Sequence, residues 1–132
     1  MVDLPPWQAV PLRVQRKRAK GFRLPPRTTC VTRPGPLGNP FIVGQDGTAA
    51  ECVYLYAKLM IEGRACLSRT ATLEDQLKAR RYLLEHREEL RGQNLACYCH
   101  LCSEHAAGKL FSLTCGECAP CHSDITGLLV NT

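Results

Sequence analysis

No apolar run in this chain of 132 residues approaches the ~20 needed to cross a bilayer, so no transmembrane helix is expected. Aromatic side chains are scarce, eight in all, which argues against the stacking platforms of single-strand nucleic-acid binders. No glycine-rich Walker or Rossmann fingerprint occurs, so the common backbone cradles for nucleotide phosphate are missing. Internal repeats and low-complexity tracts are lacking too. The opening MVDLPPWQAVPLRVQRKR does not run basic, apolar and then small-residue, so no secretory signal is read there. A cytoplasmic protein with reduced thiols is therefore expected, and its nine cysteines point to metal rather than disulfides. The odd count agrees.

Charge is unevenly placed. Arg13, Arg16, Lys17, Arg18, Lys20 and Arg23 put six positive charges into eleven residues with no acid among them. The rest of the chain holds eleven basic and twelve acidic residues, so the net charge of +5 belongs to this stretch. Residues 1–23 are accordingly read as a basic N-terminal arm, with Trp7 packed on the body, and such an arm can neutralise phosphates. Residues 24–132 are read as the folded domain.

The β-branched stretch 28–32 is a strand candidate, followed by a loop over 33–41 that proline and glycine keep irregular. Thr48 and Glu51 form a capping box that opens a helix to about Glu62, with Gly63 as its stop. Cys52, Val53, Tyr56 and Met60 share one face of it, which makes Cys52 a core residue. A second helix starts near Thr72 and ends before Gly92, with Leu73, Leu77 and Leu84 as its apolar stripe. A second strand follows over 94–98, and a last helix begins at Ser123. This order suits a small α/β domain with a short, partly parallel sheet. Parallel strands would place the 33–41 loop and the cysteine stretch at the same sheet edge, where ligands bind in open α/β folds.

Six of the nine cysteines lie between Cys97 and Asp124. Cys99/Cys102 with Cys115/Cys118 has a zinc spacing, and Cys102/His105 with Cys115/Cys118 serves equally well. Cys118-Ala-Pro-Cys121-His122 also has the form of a haem attachment or a thioredoxin-like motif, but the first implies export and the second needs a helix starting at its first cysteine. The zinc deaminase signature fails, because Pro120-Cys121 is not followed by a cysteine three residues on.

Four pieces carry a resemblance: Val14 to Arg23, then Arg33-Pro34 with Gly38-Asn39-Pro40-Phe41, then Leu90-Arg91-Gly92 with Leu95-Ala96-Cys97-Tyr98-Cys99, then Cys121-His122-Ser123-Asp124. Together they resemble the phage and bacterial family known as domain of unknown function 4326. The chain departs from it at 28–32 and at Pro36-Leu37. Many relatives join C-x-C to C-H-x-D by a short link, where this chain has about twenty residues. The resemblance thus implies an inserted zinc knuckle at 100–120, held by Cys102, His105, Cys115 and Cys118. Cys97, Cys99, Cys121 and His122 are left to the parent domain.

Two functions fit. In the first, Arg33 clamps a small anionic ligand such as a nucleotide or phosphorylated metabolite, Asn39 orients it, and the Gly38 backbone approaches it closely. An enzyme built this way would use Cys99 or Cys121 as nucleophile, His122 as base and Asp124 to fix the imidazole tautomer. Asp124 equally suits the first turn of the last helix, where the dipole favours an acid. In the second, the knuckle, Lys109 and the basic arm meet nucleic-acid phosphates on a zinc-stabilised scaffold.

Overall fold

Two threonines decide where the long helices begin. Thr48 accepts from the Glu51 N–H at 3.2 Å while Glu51 accepts from the Thr48 N–H at 3.0 Å, and Thr72 and Asp75 repeat the arrangement. Each box satisfies donors that the first helical turn would leave bare. The first helix, α1 (Ala49–Glu62), ends on Gly63 as a left-handed cap, as its sequence indicates. The second, α2 (Leu73–Glu85), stops earlier than expected. The chain breaks at His86 and resumes as a single turn, α3 (Arg87–Leu90). The computed structural model describes residues 10–33 and 35–132; Trp7 and the first nine residues of the basic arm lie outside them.

Three short strands make one parallel sheet: β1 (Arg13–Gln15), β2 (Thr28–Cys30) and β3 (Asn94–Cys97), in the order β1-β3-β2. The two strands expected from sequence pair in parallel across the helical crossover. Leu95, Ala96 and Cys97 of the central strand are all buried, as a parallel strand covered on both faces requires. The last helix, α4 (His122–Val130), packs on α1, and the Tyr56 and Thr126 hydroxyls meet at 2.7 Å between them. Among the described residues no helix is long and apolar enough to cross a membrane.

Two expectations are corrected. Residues 13–15, assigned to the arm, are instead a strand of the sheet, and Arg13 is only 1% exposed. A strand with one apolar residue in three carries no readable pattern, and what holds it is tertiary. Second, Leu73, Leu77 and Leu84 lie on the exposed side of α2, whereas Gln76 and Leu83 are buried. A second set at helical spacing, through Gln76, Ala79 and Leu83, faces the core. Gln76 is admitted there because Cys66 and Ala71 satisfy its amide.

The segment between His100 and Ala119 leaves the domain and returns at a closed neck. The Ala119 N–H donates to the His100 carbonyl at 2.8 Å. Arg13 donates to the Ala119 carbonyl at 2.6 Å, to the His100 carbonyl at 3.3 Å and to Asp124 at 3.0 Å. Farther out, Arg13 and Lys109 exchange backbone bonds, which adds the excursion to the free edge of β1. Phe111 packs flat on α4 over Gly127, where a Cβ would sit 2.2 Å from its ring. Lys109 is therefore not a phosphate contact: it is 2% exposed, and its ammonium lies 3.2 Å from Asp124.

Asp46 ties the loop before α1 to the turn before α2. Burial alone would push its carboxyl up, but donation from the Ile42 N–H, the Ser68 hydroxyl, the Arg69 N–H and the Thr70 hydroxyl holds it at about 2. A depressed carboxyl stabilises the fold fully above its unfolded value and loses that contribution as pH falls through 4 towards 2, here on the order of 1–2 kcal/mol. Asp46→Asn should melt below wild type at pH 7, and the gap should close between pH 5 and pH 2. A gap independent of pH would remove this account.

Candidate metal centre and adjoining cleft

The knuckle is built from two short turns facing each other. Cys102 precedes a 3-10 turn, Ser103–His105, which brings His105 Nδ1 to 3.1 Å from its sulfur. Cys115 stands 3.9 Å from Cys102, and Cys118 lies 3.6 Å from His105 Nδ1. The four ligand atoms all lie within 4.8 Å of one another. Metal–ligand bonds of roughly 2.0–2.3 Å in a tetrahedron place the ligands roughly 3.3–3.8 Å apart, so the set fits one ion. The backbone helps to hold negative sulfur. The Glu117 N–H and then the Cys118 N–H pull the Cys115 thiol below its usual range, although burial opposes them. The Cys102 N–H donates to Cys118 at 3.3 Å. This Cys3His group can hold a metal ion.

The second feature is a cleft of about 260 Å³ at the carboxyl edge of the sheet. Arg33, Asn39, Cys99, Cys121 and His122 all line it. Arg33 is exposed, with one weak bond to the Phe41 carbonyl at 3.5 Å, so its guanidinium is largely free. Asn39 is committed to the protein: it donates to the Cys52 carbonyl at 3.3 Å and accepts from the Phe41 N–H at 3.0 Å. It pins the loop to α1.

Gly38 and Asp124 do not line this cleft. Gly38 is glycine because a Cβ there would sit 2.6–2.9 Å from Arg33, so its close approach is to Arg33 and not to a ligand. It faces a separate hollow between the loop and α2. Asp124 takes the first turn of α4 and bonds Arg13 and Lys109. The tautomer role expected of it belongs to backbone. His122 Nε2 donates to the Val31 carbonyl at 2.8 Å and to the Leu37 carbonyl at 3.1 Å. With two acceptors at Nε2, the proton is assigned there and Nδ1 carries the lone pair. Tyr56 closes the other side, edge-on to the imidazole at 5.1 Å.

Sequence reasoning missed Arg18 and Tyr98. Arg18 lines the cleft with its guanidinium 4.7 Å from the Tyr98 ring, and Arg16 stacks on the same ring at 5.0 Å. The signal was present in the tyrosine inside C-x-C and the basic run, but nothing local joins the two.

Cys97, Cys99 and Cys121 form a second thiol cluster within 4.8 Å at the cleft floor. Thiol donation from Cys97 and Cys99 holds Cys121 far below the ordinary cysteine range against burial. The same bonds push Cys97 well up and Cys99 to about 11.

A family model described as domain of unknown function (DUF4326) matches residues 14–132. The chain belongs to that family. The match starts inside β1, in agreement with a domain that includes this strand. Comparison with curated proteins and with solved structures gave no match. This DUF4326 domain thus carries cysteine and histidine groups that can hold a metal, and the residues around them argue for its role.

Proposed function

We propose that this domain is a zinc protein that binds a small anionic ligand, a nucleotide or phosphorylated metabolite, in the cleft between the Gly38-Asn39-Pro40-Phe41 loop and the C-x-C and C-H-x-D segments. One observation carries the reading. Two arginines, Arg18 and Arg33, line the cleft, and no carboxylate among the described residues joins them. A cavity of about 260 Å³ suits the phosphorylated part of such a ligand, with a base or sugar left at the Tyr98 side. Guanidinium is the side chain of choice for phosphate. In the knuckle, zinc is the ion favoured by a closed Cys3His set.

If the ligand is a substrate, the nucleophile is the half-buried Cys99 or the buried Cys121, and His122 Nδ1 stands ready to accept a proton. Binding titrations against nucleoside phosphates and sugar phosphates test the reading. Arg33→Ala and Arg18→Ala should each weaken the bound ligand at least ten-fold, while melting and metal content stay near wild type. If no phosphorylated compound binds at millimolar concentration, the reading fails. Lys17, Lys20 and Arg23 are exposed beside Arg18, so a nucleic-acid partner would use them. That alternative is selected if DNA of arbitrary sequence binds with a salt slope that falls by roughly one unit per charge removed.

A further inference from the structure

We infer that Cys97, Cys99 and Cys121 are a second metal site, separate from the knuckle, which holds one thiophilic divalent ion of the zinc class with a coordination position open to the cleft. The first argument is distance. All three sulfurs lie within 4.8 Å of one another, and Cys97 and Cys121 approach to 2.8 Å. Thiolates on one tetrahedral zinc stand about 3.8 Å apart, so a single ion is accommodated once Cys97 and Cys121 separate by roughly 1 Å. A multi-iron cluster is held by four cysteine thiolates as a rule, and three stand here.

The surroundings supply what thiolate ligands need. Cys121 is the N-cap of the nine-residue helix α4, whose positive end favours negative charge beside it. The Ser123 hydroxyl donates to the Cys121 sulfur at 3.2 Å. The His122 ring is fixed by the Val31 and Leu37 carbonyls, and its lone-pair nitrogen lies 3.8 Å from the same sulfur. Sequence placement completes the case: Cys97 ends β3, Cys99 follows by two, and Cys121 arrives across the knuckle neck. The knuckle and this site share no residue.

The two sites differ in kind. Four protein donors close the knuckle, whereas three thiolates leave one position, and all three line the cleft. Structural zinc is closed and reactive zinc keeps such a position. The site stands whether or not the cleft takes a phosphorylated ligand, but a cysteine that holds the ion is not a free nucleophile, so this metal replaces the Cys99 or Cys121 nucleophile of the enzyme reading.

The test uses the reduced, full-length protein loaded with zinc or cobalt(II) and freed of excess ion. Elemental analysis should find two metals per chain in the wild type, one in Cys99→Ser and one in the Cys102→Ser/Cys115→Ser pair. In the cobalt form of that pair, azide should shift the visible bands by entering the open position; in Cys99→Ser, where only the closed knuckle remains, it should not. One metal per chain in the wild type, unchanged in Cys99→Ser, overturns the inference, and so does a Cys97–Cys121 disulfide that stays metal-free after reduction. The wild-type count decides the matter even if a variant fails to fold.

Discussion

Replacing Arg13 with methionine should cost about 3 kcal/mol or more and lower the melting temperature by on the order of 10 °C. The residue is 1% exposed and joins three things: the His100 carbonyl, the Ala119 carbonyl and the Asp124 carboxylate. The first two are the neck of the excursion, and the third is the first turn of α4. Burial alone would make the guanidinium easier to discharge, but the negative charge of Cys121, followed by that of Asp124, holds it more firmly protonated. Without it, the Ala119 carbonyl loses its donor, the His100 carbonyl keeps only the Ala119 N–H, and Asp124 is left with Lys109 alone. Removing one partner of a buried pair costs more than the pair contributes, since the survivor stays desolvated. Arg16→Ala is the control: it gives up a 3.2 Å bond to Thr32 and a ring contact with Tyr98, and should cost no more than about 1 kcal/mol. Arg13→Met combined with Asp124→Leu should recover part of the loss. A melting temperature for Arg13→Met within about 2 °C of wild type would show that the neck closes without the clamp.

The same residue shows where the sequence is legible and where it is not. The starts of α1 and α2 are written in four consecutive residues each, because a capping box is a local exchange of bonds, and they are read without reference to the rest of the fold. The convergence of Arg33 and His122 is legible one level up. A parallel crossover sends both following loops to one edge, whatever the details between. Arg13 has no local signature. Its partner Asp124 lies 111 positions away, and beside Arg16, Lys17 and Arg18 it looks like one more solvated cation. The α2 stripe fails for a different reason: two faces of that helix have helical spacing, and only packing with α1 and the loop after it selects the one through Gln76 and Leu83. Asp124 is an acid in a first turn, which sequence allows for. That its charge serves the knuckle neck rather than His122 is decided by which way the first turn of α4 faces.

Withdrawing the knuckle metal is expected to unfold the excursion while the sheet and α1 keep their structure. Metal binding in zinc-finger peptides contributes on the order of 10–16 kcal/mol, and a segment of this length has little else to order it. Between Cys102 and Cys118 the described residues hold one 3-10 turn, and only Lys109, Phe111 and Cys118 are buried after Cys102. Lys109 and Phe111 face β1 and α4, so the middle of the excursion has support that the ligand turns lack. A chelator, or Cys115→Ser, should therefore raise amide exchange from Ser103 to Gly116 by several orders of magnitude. The Leu95 and Ala96 amides should slow or quicken little. The effect should also be reached by acid: each sulfur must be deprotonated to bind, so occupancy falls as pH is lowered and protons compete for the ligands. Purified protein without metal, or Cys115→Ser retaining the wild-type metal count and exchange pattern, would end the knuckle assignment. If the whole chain unfolds with the metal instead, the excursion is not an appendage but a part of the core, joined to it through Phe111 and Arg13.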